Sequence, residues 1–185
     1  MACFGTKGRI VPCKDSMAGI RGLYFIDFGT ITASFNSSQT NVIEDLGAVT
    51  ALKYDIKSAT SLAQTVTSGQ ENGTQSVAQV ITAILQKEEW STDAELLTLA
   101  AGRPHVVVHY KRGDARIVGL YEGTSLETIE SASGAASSDL NGYTVTINGE
   151  EEDLAPFLKG ATKADPFTGM TTAPTVTAGT EVEPA

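Results

Sequence analysis

Two histidines, His105 and His109, are the first residues in this sequence that could do chemistry, because imidazole binds metals and transfers protons near neutral pH. Three valines separate them, which predicts a β-strand rather than a helix. On a strand, which rises about 3.3 Å per residue, the two rings share one face but lie about 13 Å apart. One metal ion cannot bridge that distance, so the spacing argues against a metal site.

Other motifs that could support catalysis or ligand binding are incomplete. No serine lies in the Gly-x-Ser-x-Gly turn that exposes a hydrolase nucleophile, which argues against a Ser-His-Asp triad. The glycines of residues 19–22 lead into a strand, without the helix start that binds phosphate. The acidic run at residues 150–153 lacks the ligand spacing of a calcium loop. We therefore expect no enzyme: no catalytic residue, no metal and no cofactor.

Length and charge restrict the classes of protein that this chain can belong to. Its 185 residues, 41% of them hydrophobic, support one compact core but not two large domains. No apolar run reaches the roughly 20 residues that cross a bilayer, and the start lacks a signal-peptide pattern, so we expect no membrane partner. The net charge of -9 repels phosphate backbones and disfavours tight nucleic-acid binding.

The charge is distributed unevenly along the chain. Residues 1–21 carry a net charge of +3, whereas residues 150–185 carry -5. These oppositely charged ends attract each other, within one copy or between copies, unless both are simply solvated. The only cysteines, Cys3 and Cys13, are too few for a disulfide framework and lack zinc-site spacing, so we expect buried thiols, with a local bridge as the alternative.

The composition predicts a mainly β fold, an antiparallel sandwich or barrel with one flanking helix and a long projecting hairpin. Serine and threonine account for 37 residues, alongside 18 glycines, which favours strands and turns. Turns are predicted at residues 36–41 and 112–114, and a flexible connection at 131–142. Strands are predicted at residues 6–13, 19–28, 30–35, 48–57, 105–111, 115–123 and 143–149.

Residues 60–87 predict the hairpin, because the sequence SGQENG lies between two arms rich in Thr, Val and Gln. The arms near the tip carry little apolar surface, so we expect this part to project. A two-stranded ribbon is marginal alone in water, which suggests that the tip packs against another subunit. The residues expected at that contact are Thr65, Thr67, Gln70, Glu71, Asn72, Thr74, Gln75 and Ser76.

One helix is predicted after the hairpin. Thr92 and Glu95 form a capping-box pattern, and Gly102 and Pro104 stop the helix. We expect it to cover one end or face of the sheet through an apolar stripe of Leu96, Leu97, Leu99, Ala100 and Ala101.

We divide the chain into a β domain of residues 1–159 and an acidic, Thr/Pro-rich extension of residues 160–185. Only Phe167, Met170 and two valines of this extension are large and apolar. Such a composition packs weakly, so we expect the extension to be dispensable for the fold and to lie outside or across a neighbouring subunit.

Short motifs at both ends of the β domain resemble virion structural proteins of phages that infect Bacteroidetes. The first includes Cys13-Lys14-Asp15 and Gly19-Ile20-Arg21, and the second is the stretch DLNGYTVT at residues 139–146. The order of elements, with a long hairpin before one helix and two further strands, is similar to tail tube proteins of long-tailed phages and to inner tubes of contractile injection machines. The resemblance covers residues 1 to about 158.

The resemblance implies a virion protein, assembled in the host cytoplasm, whose copies close into rings, expected to be hexameric. The rings stack into a tail tube that conducts the genome. Its partners would be copies of itself, other tail or neck proteins, and double-stranded DNA that passes without tight binding. The basic start would then lie at ring-to-ring contacts through Lys7, Arg9, Lys14 and Arg21. The candidates for an acidic lumen lining are Asp55, Glu71 and Glu127.

Three other classes compete with the tube subunit. The end after Lys159 departs from the pattern of the resembled proteins and leaves room for a head-tail joining or capsid-decorating protein. A β-sandwich binding module and an enzyme are further alternatives. Tubes or six-fold rings would indicate the tube subunit, and trimers or monomers another virion protein. Tight binding of a small ligand by a monomer would indicate a binding module.

Overall fold

Two β-sheets and one helix make up the computed structural model, which describes residues 8–11, 13–14, 16–69, 71 and 73–179. The helix α1 covers Trp90–Ala101. The strands are β1 (Ile20–Ile26), β2 (Ser34–Asn36), β3 (Gln39–Asp45), β4 (Thr50–Asp55), β5 (Ser61–Gly69), β6 (Thr74–Gln86), β7 (His105–Tyr110), β8 (Ala115–Val118), β9 (Ser125–Ala132), β10 (Gly142–Glu151), β11 (Phe157–Leu158) and β12 (Thr175–Ala178).

The larger sheet has eight strands in the order β12-β4-β1-β7-β8-β11-β3-β2, and the smaller has four in the order β5-β6-β10-β9. The mainly β class, the single helix and the long β5–β6 hairpin are confirmed. The sheets are not closed into a barrel. Most pairs are antiparallel, but β11 pairs with β3 and β12 with β4 in parallel.

The main core lies between the two sheets. Strand β1 alternates its side chains between two faces, so Leu23 and Phe25 enter this core while Tyr24 and Ile26 enter a second one. Strand β6 contributes Ile81 to the main core, opposite Ile147 of β10. The eight-stranded sheet is therefore buried on both faces, as the continuous apolar runs of β1 and β7 require.

The second core contradicts the expectation that the end of the chain packs weakly. Phe167 is buried against Tyr24 in an edge-to-face contact with ring centroids 5.3 Å apart, and Met170 is buried beside it. The main-chain N–H of Thr172 donates to the Asp45 carboxylate (3.1 Å), and β12 follows on the edge of β4. Two large apolar side chains, Phe167 and Met170, are therefore enough to pack this segment on the body although its average composition is polar.

Helix α1 closes one end of the main core, as predicted, but its start and its stripe differ from the prediction. Only Leu96 is buried, and Leu97 is exposed. The helix begins at Trp90, so the predicted capping box is wrong. Instead the Tyr143 hydroxyl, from β10, donates to the Asp93 carboxylate (2.5 Å) and accepts the N–H of Glu89 (3.0 Å).

Several strand predictions also need correction. The start of the chain forms no strand in its described residues, and Cys13 is exposed rather than buried. Cys3 lies outside the described residues. The predicted turn at residues 36–41 shrinks to Ser37 and Ser38, because β3 begins at Gln39 and pairs with β2. Strand β9 is not among the predicted strands. Its sequence is polar, and its serine-rich end overlaps the predicted flexible connection at residues 131–142.

Candidate functional site

The four-stranded sheet presents two open edges. Strands β5 and β9 are its outermost members, and within the described residues neither pairs with a further strand on its outer side. Most side chains of both strands are exposed. Unpaired N–H and C=O groups along such an edge are a template for pairing with another chain.

The hairpin that supplies one edge has an anchored base and an exposed tip. Its register runs from Ser61 opposite Thr82 to Gly69 opposite Thr74, and Gly73 supplies the positive φ (62°) of the turn. At the base, Gln64 accepts the N–H of Ala155 at 2.8 Å.

The structure brings most of the predicted hairpin contact residues together at that tip. Exposed positions there are Thr65, Thr67, Glu71, Thr74 and Gln75, whereas Ser76 is half-buried. Gln70 and Asn72 lie outside the described residues. The tip therefore offers polar side chains and backbone groups rather than a core.

A buried glutamine joins the hairpin to the body of the protein. Gln79 is 1% exposed; its amide nitrogen donates to the Asp153 carbonyl (3.0 Å), and its amide oxygen accepts the N–H of Gly119 (3.1 Å). Nearby, the buried Glu151 carboxylate accepts the N–H groups of Tyr121 (2.8 Å) and Glu122 (3.0 Å). Sequence reasoning missed these residues, although a Gln at an inward position of an alternating strand is the available signal.

The solvent face of the four-stranded sheet carries acids and no bases. Across its four strands the charged residues are all glutamates, and Lys, Arg and His are absent. Glu127, Glu130 and Glu150 are exposed, whereas Glu151 points inward. Glu127 accepts a hydrogen bond from Asn148 (3.0 Å). The face therefore combines threonines with negative charge, a surface that repels polyanions.

The structure does not bring the three predicted lumen residues together. Glu127 lies on β9 and Glu71 at the hairpin tip beyond β5, at opposite edges of the four-stranded sheet. Asp55 ends β4 in the other sheet, where it forms an ion pair with Lys53 at 3.0 Å.

The predicted ring-contact bases lie near the start of the described chain. Arg9 and Lys14 are exposed in a segment without secondary structure, and Arg21 is exposed on β1. Lys7 falls outside the described residues.

Both histidines are buried on β7 and bind backbone groups. His105 Nδ1 donates to the Gly119 carbonyl (2.5 Å), and its Nε2 accepts the N–H of Gly29 (3.3 Å). His109 Nε2 donates to the Thr162 carbonyl (2.8 Å), and burial lowers the pKa of this ring. Both imidazoles thus tie loops to the eight-stranded sheet. Within residues 8–179, where described, no three His, Cys, Asp or Glu side chains group to hold a metal ion.

The predicted turn at residues 112–114 is confirmed between β7 and β8. Arg112 Nε and the Asp114 carboxylate form an ion pair across it at 2.5 Å.

The described part of the chain has no helix with the length and apolar character needed to cross a membrane. Comparisons of the chain with protein-family models, with curated proteins and with solved structures found no match.

Proposed function

We propose that this protein is a structural subunit that assembles with copies of itself into rings, and that the rings stack into a phage tail tube that conducts the genome. The observation that carries the proposal is the four-stranded sheet, which is open at both edges and acidic on its solvent face. The motif resemblance at both ends of the β domain supports the same function.

The strand directions of this sheet suit ring closure. Each neighbouring pair in the order β5-β6-β10-β9 is antiparallel, so the two edge strands run in opposite directions. Copies related by rotation about one axis present β9 of one copy to β5 of the next, and the two strands meet antiparallel. The sheet then continues from copy to copy with one type of pairing.

The charge of the solvent face suits a channel for DNA. A Lys or Arg that neutralises a phosphate releases counterions and adds affinity for DNA. Many identical copies along a tube would strengthen that binding further. With the glutamate face turned inward, the lining repels the genome weakly and lets it pass. Glu127 is the lumen candidate that lies on this face, and Glu130 and Glu150 join it. Other tail or neck proteins would bind the ends of the tube in the virion.

Electron microscopy of purified variants tests the proposal. Changing Thr65 and Thr67 to lysine charges the β5 edge, and we expect a folded protein that forms neither rings nor tubes. The matched control changes Thr175 and Thr177 to lysine on β12, the edge strand of the other sheet, where both threonines are also exposed. That control should assemble as the wild type does.

Two results would contradict the proposal. One is a wild-type protein that stays monomeric at high concentration, and the other is normal assembly of the β5 variant. Rings that never stack would favour the head-tail joining alternative.

A further inference from the structure

The segment that precedes β1 exposes large apolar side chains. Residues 8–19, named here the leading segment, form no helix or strand where they are described. Ile10 is 89% exposed and Val11 95%, and Met17 is also exposed. Side chains of this kind are normally covered, because each gains about 1.5–3 kcal/mol on burial.

A groove on the same molecule exposes apolar side chains that match them. It lies between the β5–β6 hairpin, strands β2 and β3, and the loops that follow β8 and β10, with a volume of about 570 Å³. We call it the hairpin groove. Phe35, Val66, Tyr121 and Leu154 line it and are all exposed. Contiguous exposed apolar surface of this kind marks an interaction site.

The charges of the two surfaces are complementary. Glu151 and Asp153 line the hairpin groove, and Glu122, Glu150 and Glu152 line a depression that adjoins it. The leading segment carries Arg9 and Lys14 against Asp15, a net charge of +1, and Lys7 and Arg21 flank it in the sequence. A basic segment with an apolar centre therefore faces an acidic site with an apolar floor.

The point where the leading segment joins β1 and the hairpin groove lie at opposite ends of the strands. The leading segment ends at Gly19, whose carbonyl accepts the N–H of Lys111 in the β7–β8 turn (3.0 Å). The hairpin groove includes Leu120 and Tyr121, beyond the other end of β8. Strand β1 spans about 20 Å between these ends. When the segment of one copy reaches the groove of another, the contact is head-to-tail, and such a contact gives a ring or an open filament depending on the rotation between copies.

We propose that the leading segment of one copy docks into the hairpin groove of a second copy, with Ile10 and Val11 on its apolar floor and Arg9 beside its acids. This rests on the proposed function and deepens it, because it supplies the axial contact between rings, whereas β5 and β9 supply the lateral contact. The partner is a second copy of this chain, and high salt weakens the contact through its ionic part.

Disulfide trapping tests which chain fills the groove. Cys13 is exposed in the leading segment, and Gln75 is exposed in the groove wall. A full-length chain carries Gln75→Cys together with Cys3→Ser, so that Cys13 is its only native thiol. It is oxidised with glutathione disulfide and run on a non-reducing gel. We expect a ladder of linked copies. The matched control carries Leu97→Cys, equally accessible on α1, and should link roughly tenfold less.

Two outcomes of the trapping overturn the docking. One is a bridge within single chains, which would place the segment in its own groove, since ten extended residues reach about 33 Å. The other is equal linkage in both variants. Adding Ile10→Glu and Val11→Glu to the Gln75→Cys chain should reduce the ladder roughly tenfold, because docking would then have to bury two charged side chains.

Electron microscopy separates failure of the docking from failure of the proposed function. Ile10→Glu with Val11→Glu should give rings that do not stack, while the control Trp90→Glu with Leu97→Glu on α1 should give tubes. Normal tubes from the first variant overturn the docking and leave the proposed function standing. If the wild type forms no rings, the proposed function fails, and the trapping result alone decides the docking.

Discussion

Replacing Phe167 with alanine should destabilise the protein strongly, although the residue lies in a segment of polar composition. Phe167 is 2% exposed and packs edge-to-face on Tyr24. A buried phenylalanine removes about 150–250 Å² from water, and truncation of one to alanine costs about 3–5 kcal/mol. For a chain of this size each kcal/mol shifts Tm by about 2–4 °C, so we expect a fall of roughly 10 °C.

The assay is urea unfolding and thermal unfolding of protein kept unassembled at low concentration. The matched control is Phe35→Ala, which removes the same atoms from a side chain that is 39% exposed and should cost less than half as much. A Phe167→Ala variant within about 1 kcal/mol of the wild type would refute the assignment of this segment to the second core. Truncation after Lys159, which also removes Met170 and β12, should then be tolerated as well.

Three further predictions concern buried polar groups and glycines. Gln79→Leu leaves the Gly119 N–H and a carbonyl unpaired, so it should lower the free energy of unfolding by about 3 kcal/mol in urea. Burial lowers the pKa of His109 in the folded state, so protonation of this ring favours the unfolded state. The free energy of unfolding should therefore be highest above pH 6.5 and decline as pH falls from there through the lower folded pKa. His109→Gln should flatten that decline between pH 7.5 and 5.5. Gly123→Ala should cost about 3 kcal/mol or more, because the new Cβ would lie 2.6 Å from the Arg103 carbonyl at a φ of +75°.

Matched variants control two of these predictions. Gln75→Leu changes an exposed glutamine on the same strand and should stay within about 0.5 kcal/mol of the wild type. Gly29→Ala has nearly the same φ (+77°) but open space around the new Cβ, so about 1 kcal/mol is expected. Equal losses for the two glycine variants would contradict the steric argument. A wild type and a His109→Gln variant with parallel pH profiles would contradict the linkage argument.

Local patterns predicted the elements that local physics determines. The β5–β6 hairpin follows from a turn cluster between two arms, and β1 and β7 follow from continuous β-branched and aromatic runs. The turn between β7 and β8 follows from its Gly at positive φ. In each case the chain within a few residues supplies the cause, so a single sequence reveals it.

Contacts between distant parts of the chain escaped the same reasoning. Phe167 is buried because Tyr24 lies opposite it, and the composition of its own segment gives no sign of that partner. Helix α1 begins at Trp90 because the hydroxyl of Tyr143 binds its first turn, which overrides the capping pattern two residues later. For the acidic sheet face, only the negative sign of its charge could be predicted. Which glutamates share the face depends on the order of the strands in the sheet.

The parallel pairing of β12 with β4 has a consequence for the order in which the protein folds. The four-stranded sheet is complete once residue 151 has been synthesised, although β6 must pair with β10 across residues 87–141. The eight-stranded sheet gains its last edge only when the ribosome has synthesised residue 178 and Thr175 has reached Thr50. The sheet with open edges therefore forms before the body that supports it is complete. A nascent chain presents pairing edges early, and a slow final step separates synthesis from the fully stable subunit.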